Sequence, residues 1–123
     1  MTDERPPDSL RALTHALRQF AAERDWDQFH SPKNLVMALS VEVSELMEHF
    51  QWLTPEAATA LNAEQREAVR EELADVLLYL VRLADKLEVE LIAAAADKIE
   101  KNAAKYPADL ARGSMRKYTE LKP

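Results

Sequence analysis

A pair of acidic residues on an otherwise apolar helical stretch constrains the fold of this chain more than any other feature. In the stretch Leu35–Leu53, a helical period places Glu42 and Glu45 on the side that also carries the apolar residues expected to face a core. Glu48 takes the opposite, solvent-facing side. An ionised carboxylate that faces a core is strongly destabilising unless a cation compensates its charge. The stretch therefore predicts a positive group or a metal ion against this helix.

The stretch Asn62–Lys86 repeats the pattern. Glu72 and Asp75 project on the same side as its apolar residues, so a second acidic pair faces inward. From Leu73 to Leu83 the stretch is apolar nearly all round, which indicates burial on more than one side. We therefore expect this helix to carry half of a shared acidic site and to pack against another copy of the chain.

The composition indicates an all-α protein. The 123 residues contain one Gly and no Cys, and residues with high helix propensity are abundant. The net charge of −6 argues against a polynucleotide partner, because affinity for a phosphate backbone comes mainly from Lys and Arg. No apolar run approaches the roughly 20 residues needed to span a bilayer. A cytoplasmic protein without membrane association is expected.

Helix-start and helix-stop signals predict a four-to-five-helix bundle that assembles as an oligomer of packed bundles. We expect one all-α domain over residues 1–123, with a loose N-terminal arm at 1–8 and an irregular C-terminal tail at 107–123. The predicted helices are Leu10–Arg24, Pro32–Gln51, a short segment from Pro55 to about Leu61, Asn62–Lys86, and a last helix that follows a break at Leu87–Glu90 and ends at Lys105.

Four carboxylates from two neighbouring helices would suit a hard divalent cation such as Mg²⁺, with Mn²⁺ as a possible substitute. Zinc is disfavoured because the chain has no Cys and no His-x-x-x-His pattern. A di-iron bundle needs Glu-x-x-His twice, whereas here Glu45 meets only His49, four residues later. A bound cation of this kind could hold the phosphates of a nucleotide and activate a water molecule.

Other residues could complete a nucleotide site. Lys98, Asn102 and Lys105 share one helix face and could meet phosphate or sugar, although a solvated basic face is the commoner meaning of this pattern. Trp26 and Trp52 are the available stacking surfaces for a base, although aromatic residues also plug the ends of bundles.

These residues resemble the all-α nucleoside triphosphate pyrophosphohydrolases, also called MazG-like, and within them the dCTP pyrophosphatase branch. The family motif Glu-x-x-Glu followed by Glu-x-x-Asp is present as Glu42–Glu45 and Glu72–Asp75. Supporting stretches are Glu23-Arg24-Asp25-Trp26, Gln28-Phe29-His30, Phe50-Gln51-Trp52, Lys105-Tyr106-Pro107 and Arg116-Lys117-Tyr118-Thr119-Glu120-Leu121. The resemblance covers nearly the whole chain from about Leu10.

The resemblance implies Mg²⁺-dependent hydrolysis of a nucleoside triphosphate, dCTP or a modified dCTP, to the monophosphate and diphosphate by a homotetramer, with a dimer as the alternative. Nucleotide-pool housekeeping is the implied role. Carried over, the metal-binding and catalytic residues are Glu42, Glu45, Glu72 and Asp75. Trp26 and Trp52 would sandwich the base, and the remaining substrate contacts would come from Tyr79, Lys98, Asn102, Lys105 and His30.

The chain departs from the family pattern at two positions. Val41 precedes Glu42 where the wider family often has a further Glu, and the dCTP pyrophosphatase branch shares this departure. Leu17 stands where a vertebrate relative has a base-contacting His, which bears on base selectivity. An alternative is the same fold acting on dUTP or phosphoribosyl-ATP. A different class of protein also remains open: a non-catalytic helical interaction module whose buried acids pair with Lys98 and Lys105.

Overall fold

Residues 5–122 are described by a computed structural model, and every regular element within that range is helical. The prediction of an all-α fold is confirmed. The α-helices are α1 (Leu10–Glu23), α2 (Pro32–Glu48), α3 (Pro55–Ala58), α4 (Ala63–Lys86), α5 (Leu91–Lys105) and α6 (Ala108–Ala111), with single 3₁₀ turns at Asp27–Phe29 and Tyr118–Glu120.

The first four α-helices begin at side chains that cap them. The Ser9 hydroxyl accepts from the Ala12 N–H at 3.1 Å, and Ser31 precedes Pro32 in the same role at the start of α2. Asn62 and Gln65 form a complete capping box, in which each side chain accepts from the other residue's backbone N–H. These bonds satisfy N–H groups that have no partner inside the helix, and they therefore stabilise each helix start. The predicted helix starts are confirmed.

The end of α2 differs from the prediction. The helix ends at Glu48, three residues before the expected end at Gln51. Its last turn tightens, because the N–H groups of His49 and Phe50 donate to carbonyls three residues earlier, at 3.2 and 2.9 Å. A turn of this kind allows the chain to leave the helix axis and run through residues 49–53 towards α3.

Helices α2 and α4 pack side by side and run antiparallel, and α1 packs against α4. The direction follows from two contacts: His30, before α2, bonds to Arg82 near the end of α4, whereas Glu42 in the middle of α2 lies beside Glu72. Leu35 on α2 is fully buried. The other buried apolar residues of the described chain are Ala21, Val69, Val81 and Ala84.

The chain divides into two compact units, of which the first ends at Glu88 and the second begins at Val89. The second contains α5, α6 and the last 3₁₀ turn, and the Tyr106 and Tyr118 rings meet edge to face at 6.2 Å. The tail therefore has more local structure than the irregular segment expected at 107–123. Residues 1–4 of the predicted N-terminal arm and residue 123 lie outside the described residues, and the single domain stays a prediction.

A row of apolar side chains on α2 and α4 is left uncovered by the single chain. The row consists of Val36, Val43 and Met47 on α2 and Leu73, Leu77 and Leu80 on α4, all of them exposed. The burial on several sides that was expected for α4 is thus not reached within one chain. Among residues 5–122, no helix is long and apolar enough to cross a membrane.

Candidate metal and nucleotide site

Three carboxylates meet where α2 crosses α4. Glu42 and Glu45 project from successive turns of α2, and Glu72 projects from α4 towards them. One oxygen of each side chain lies within 4.8 Å of the other two. The arrangement follows from the i, i+3 spacing on α2 and from the antiparallel packing of the two helices.

The cluster lacks compensation by the protein itself. Glu42 Oε2 and Glu72 Oε1 are buried and have no hydrogen-bond partner among the described residues. The neighbouring Glu72 carboxyl group, burial and the charge of Glu45 together raise the pKa of Glu42 from 4.5 to about 7. Two buried carboxylate oxygens without partners and a raised pKa indicate that the cluster lacks positive charge, which a bound cation would supply.

The donor set fits a hard divalent cation. All three groups offer carboxylate oxygens, which Mg²⁺, Mn²⁺ and Ca²⁺ accept. Asp75, the fourth predicted ligand, is exposed and lies outside this group of three. It lies three residues after Glu72, about 60° short of a full turn of α4, and its side chain is one methylene shorter than that of Glu. Its role as a ligand stays a prediction.

The two predicted stacking residues lie at opposite ends of α2. Trp26 precedes the helix and packs edge to face on Phe20, with ring centroids 5.7 Å apart. Trp52 follows the helix and is 87% exposed. The 17 residues of α2 make it about 25 Å long, so one chain does not bring both rings to the same base. A sandwich between them requires Trp52 of a second copy.

The other predicted substrate contacts are distributed over both units. Tyr79 lies on α4, half-buried and seven residues after Glu72. Lys98 and Asn102 are exposed on α5. The Lys105 ammonium lies 5.0 Å from the centre of the Tyr118 ring in a cation–π contact, so its charge is directed towards that ring.

Arg82 is a residue that the sequence interpretation missed. It is the one charged side chain that is buried in the described part of the chain, at 6% exposure. Its guanidinium donates to Asp85 Oδ2 at 3.3 Å and to Asp27 Oδ1 at 2.5 Å. Its position inside the run Leu80-Val81-Arg82-Leu83-Ala84 was the available signal, because an Arg in an apolar stretch requires buried partners.

His30, a predicted substrate contact, belongs to the same network. Arg82 Nε donates to His30 Nδ1 at 3.1 Å. Burial, followed by the positive charges of Arg82 and Lys86, lowers the pKa of His30. The imidazole is therefore neutral, with its single proton on Nε2.

The chain is similar to proteins described as pyrophosphatases. Residues 37–121 match the MazG-like family. The chain is 48% identical over 118 residues to dCTP pyrophosphatase 1 of Homo sapiens, covering 94% of this chain and 69% of the human protein. It is 50% identical over 115 residues to dCTP pyrophosphatase 1 of Bos taurus, covering 92% and 68% of the two chains. A pyrophosphatase crystal structure from Archaeoglobus fulgidus superimposes with a TM-score of 0.77 at 38% identity, covering 86% of this chain and 99% of that one. This chain therefore belongs to the MazG-like family.

Proposed function

We propose that this protein hydrolyses a nucleoside triphosphate to the nucleoside monophosphate and diphosphate, with dCTP or a modified dCTP as substrate. One water molecule is consumed, and the anhydride bond between the α and β phosphorus atoms breaks. The observation that carries the proposal is the group of three carboxylates with two orphaned buried oxygens. The dCTP pyrophosphatases that share nearly half of its residues support the choice of substrate.

The acidic cluster and the pyrophosphatase relatives indicate a divalent metal ion, and we propose Mg²⁺, with Mn²⁺ as a substitute. Glu42, Glu45 and Glu72 would hold it, and Asp75 would join them after a change of side-chain rotamer. Such an ion neutralises phosphate charge and lowers the pKa of a bound water. A carboxylate that is not fully engaged by the metal can orient the attacking water, and Glu45 and Asp75 are the most accessible.

The phosphates and the nucleoside need further contacts. We assign Tyr79 to the sugar, because it lies on α4 between the carboxylate cluster and the end of the helix that faces His30. Lys98 and Asn102 would meet phosphate oxygens, and Lys105 would do so only after leaving the Tyr118 ring. The chain has no Gly-rich phosphate loop, so we expect the metal ion and side chains to hold the triphosphate.

We further propose that the enzyme works as a homo-oligomer, with a tetramer favoured over a dimer. The uncovered apolar row on α2 and α4 supports association, since such a surface is unfavourable in water. The base sandwich that the resemblance implies would also require two copies, because Trp26 and Trp52 lie at opposite ends of α2. A cytoplasmic location fits a chain without Cys.

A nucleotide panel tests the proposal. Purified protein with Mg²⁺ is offered dCTP, modified dCTP, dUTP and phosphoribosyl-ATP, and both diphosphate and orthophosphate are measured. We expect diphosphate with the monophosphate, and fastest turnover of a dCTP-like substrate. Glu42→Gln should lower kcat/KM more than about a hundredfold. Loss of a residue that binds the metal directly costs more activity than loss of a residue that only hydrogen-bonds to such a ligand. Glu48→Gln is the matched control on the same helix and should leave kcat/KM unchanged.

Two results would point elsewhere. Release of orthophosphate alone, or unchanged turnover by Glu42→Gln, would contradict the mechanism. A non-catalytic helical module is the alternative from a different class. It would give no binding heat with Mg²⁺ and a non-hydrolysable dCTP analogue and no rise in melting temperature, whereas a ligand that binds the native state must raise it.

A further inference from the structure

Arg82 lies at the centre of a hydrogen-bond network that the proposed metal chemistry does not explain. The guanidinium uses its three nitrogens on three different acceptors: His30 Nδ1 at 3.1 Å, Asp27 Oδ1 at 2.5 Å and Asp85 Oδ2 at 3.3 Å. Two of these acceptors belong to the segment that carries Trp26 and leads into α2. Lys86 donates to the same oxygen of Asp27, so α4 holds this segment through two cations. The segment is thereby fixed to the last turns of α4.

The contact with Arg82 fixes the protonation state of His30 as well as its position. Arg82 Nε–H can only donate, so His30 Nδ1 must accept with its lone pair and the ring proton must lie on Nε2. Protonation of Nδ1 would break this bond and place a third cation beside Arg82 and Lys86. The carboxylates of Asp27 and Asp85, which face the same network, are already engaged by those cations and by Arg18. His30 is thus held as a neutral ring whose free nitrogen is a donor.

The location suits one end of a nucleotide. Arg82 lies ten residues after Glu72 on α4, which is about 15 Å along the helix. Asp75 and Arg82 are seven residues apart and therefore share a face of α4, with Tyr79 between them. A triphosphate held at the carboxylates can extend its nucleoside along this face towards His30 and Trp26.

We propose that Arg82 is a positioning residue that holds His30 as an Nε2–H donor to an acceptor atom on the nucleoside part of the substrate. Arg82 does not touch the substrate; it acts through His30. The proposal rests on the nucleotide hydrolysis proposed above and deepens it by naming Arg82 as the residue that orients His30, which the family resemblance already implies as a substrate contact. A donor of this kind selects nucleosides that present a carbonyl, ring nitrogen or hydroxyl acceptor at that point.

The first test reads the tautomer directly. Nitrogen-15 labelling of the histidines and proton–nitrogen correlation spectra distinguish a ring protonated on Nε2 from one protonated on Nδ1, with His30 assigned by its loss in His30→Ala. Near neutral pH we expect the Nε2–H form in the wild-type protein. In Arg82→Lys we expect a mixture of tautomers, because Lys cannot supply the fixed planar donor. A wild-type ring protonated on Nδ1, or an unchanged Nε2–H ring in Arg82→Lys, would overturn the proposal.

The second test is a kinetic double-mutant cycle on dCTP hydrolysis. His30→Ala and Arg82→Lys should each raise KM about fivefold to tenfold, the value of one hydrogen bond, with kcat within about twofold. Because Arg82 acts through His30, introducing Arg82→Lys into the His30→Ala variant should not raise KM further. A KM unchanged in His30→Ala, or increases that multiply in the double variant, would refute the proposal.

Matched controls separate this test from failure of the fold or of the proposed function. Arg70→Lys and His15→Ala change exposed residues of the same types and should leave KM unchanged. Stabilisation by Mg²⁺ alone should persist in Arg82→Lys, because the carboxylate cluster is intact. If the wild-type protein hydrolyses no nucleotide, the proposed function is refuted. The positioning proposal is then refuted as well, because an Nε2–H ring on His30 would give Arg82 a structural role only. If Arg82→Lys does not fold, the wild-type spectrum and the KM of His30→Ala still decide the matter.

Discussion

Replacing Glu42 by Gln should stabilise the metal-free protein while removing its response to metal. Gln keeps the size of the side chain and cannot ionise beside Glu45 and Glu72. Because the folded-state pKa of Glu42 is raised from 4.5 to about 7, the folded protein binds more protons than the unfolded chain between these values. The stability of the wild-type protein therefore falls as pH rises from about 4.5 to about 7, and Glu42→Gln abolishes that fall.

The magnitude follows from the same pKa. One pKa unit corresponds to about 1.4 kcal/mol of free energy. A rise from 4.5 to about 7 therefore means that ionised Glu42 lowers the unfolding free energy by at most about 3 kcal/mol above neutral pH. Glu42 is only half-buried, and screening by solvent reduces the expected gain in unfolding free energy to about 1–2 kcal/mol. For a chain of this length, that corresponds to a rise in Tm of about 4–8 °C.

The assay is thermal and urea unfolding of wild type, Glu42→Gln and Glu48→Gln in EDTA at about pH 4 and about pH 8. The unfolding free energy of the variant should exceed that of wild type at the higher pH and nearly match it at the lower pH, where the Glu42 carboxyl group is mostly protonated in both states. Added Mg²⁺ should raise the Tm of wild type and of Glu48→Gln and leave Glu42→Gln nearly unchanged. A variant no more stable than wild type at the higher pH, or equally stabilised at both, would refute the account of like-charge crowding.

Three further predictions concern other parts of the structure. A hydrogen bond to Arg18 lowers the pKa of Asp85 below its ordinary value of 3.8. The interaction therefore stabilises the fold above pH 3.8 and is lost as the pH falls through the lowered pKa. In acid titrations followed by circular dichroism, Arg18→Gln should unfold at higher pH than wild type. If the base is enclosed by two copies, inactive Trp26→Ala and Trp52→Ala proteins should recover part of the activity after mixing and subunit exchange, and no recovery would argue for a site within one chain. Asn62→Ala should lose about 1 kcal/mol of unfolding free energy in urea with kcat/KM unchanged, because it removes a capping box outside the site.

The local features of the fold were readable from the sequence. The helices predicted to begin at Leu10, Pro32 and about Asn62 do so, because capping depends on residues within three positions of the helix start. Glu42 and Glu72 could be assigned to an inner face for the same reason, since helical periodicity is local. That the two could share a site was inferred from a chemical conflict, the presence of uncompensated carboxylates among apolar residues.

Interactions between residues distant in the chain were decided by tertiary structure. Asp27 and Arg82 are 55 residues apart, and no local rule predicts that a loop carboxylate and a residue in an apolar run will meet. The separation of Trp26 and Trp52, in contrast, follows from the length of the predicted helix between them. Helical periodicity assigns a direction around one axis, whereas the partner that a side chain meets depends on which helices pack and in which direction. Thus the sequence by itself determined the helices and the acidic faces, and the packing of α2 against α4 decided which carboxylates meet and which histidine Arg82 holds.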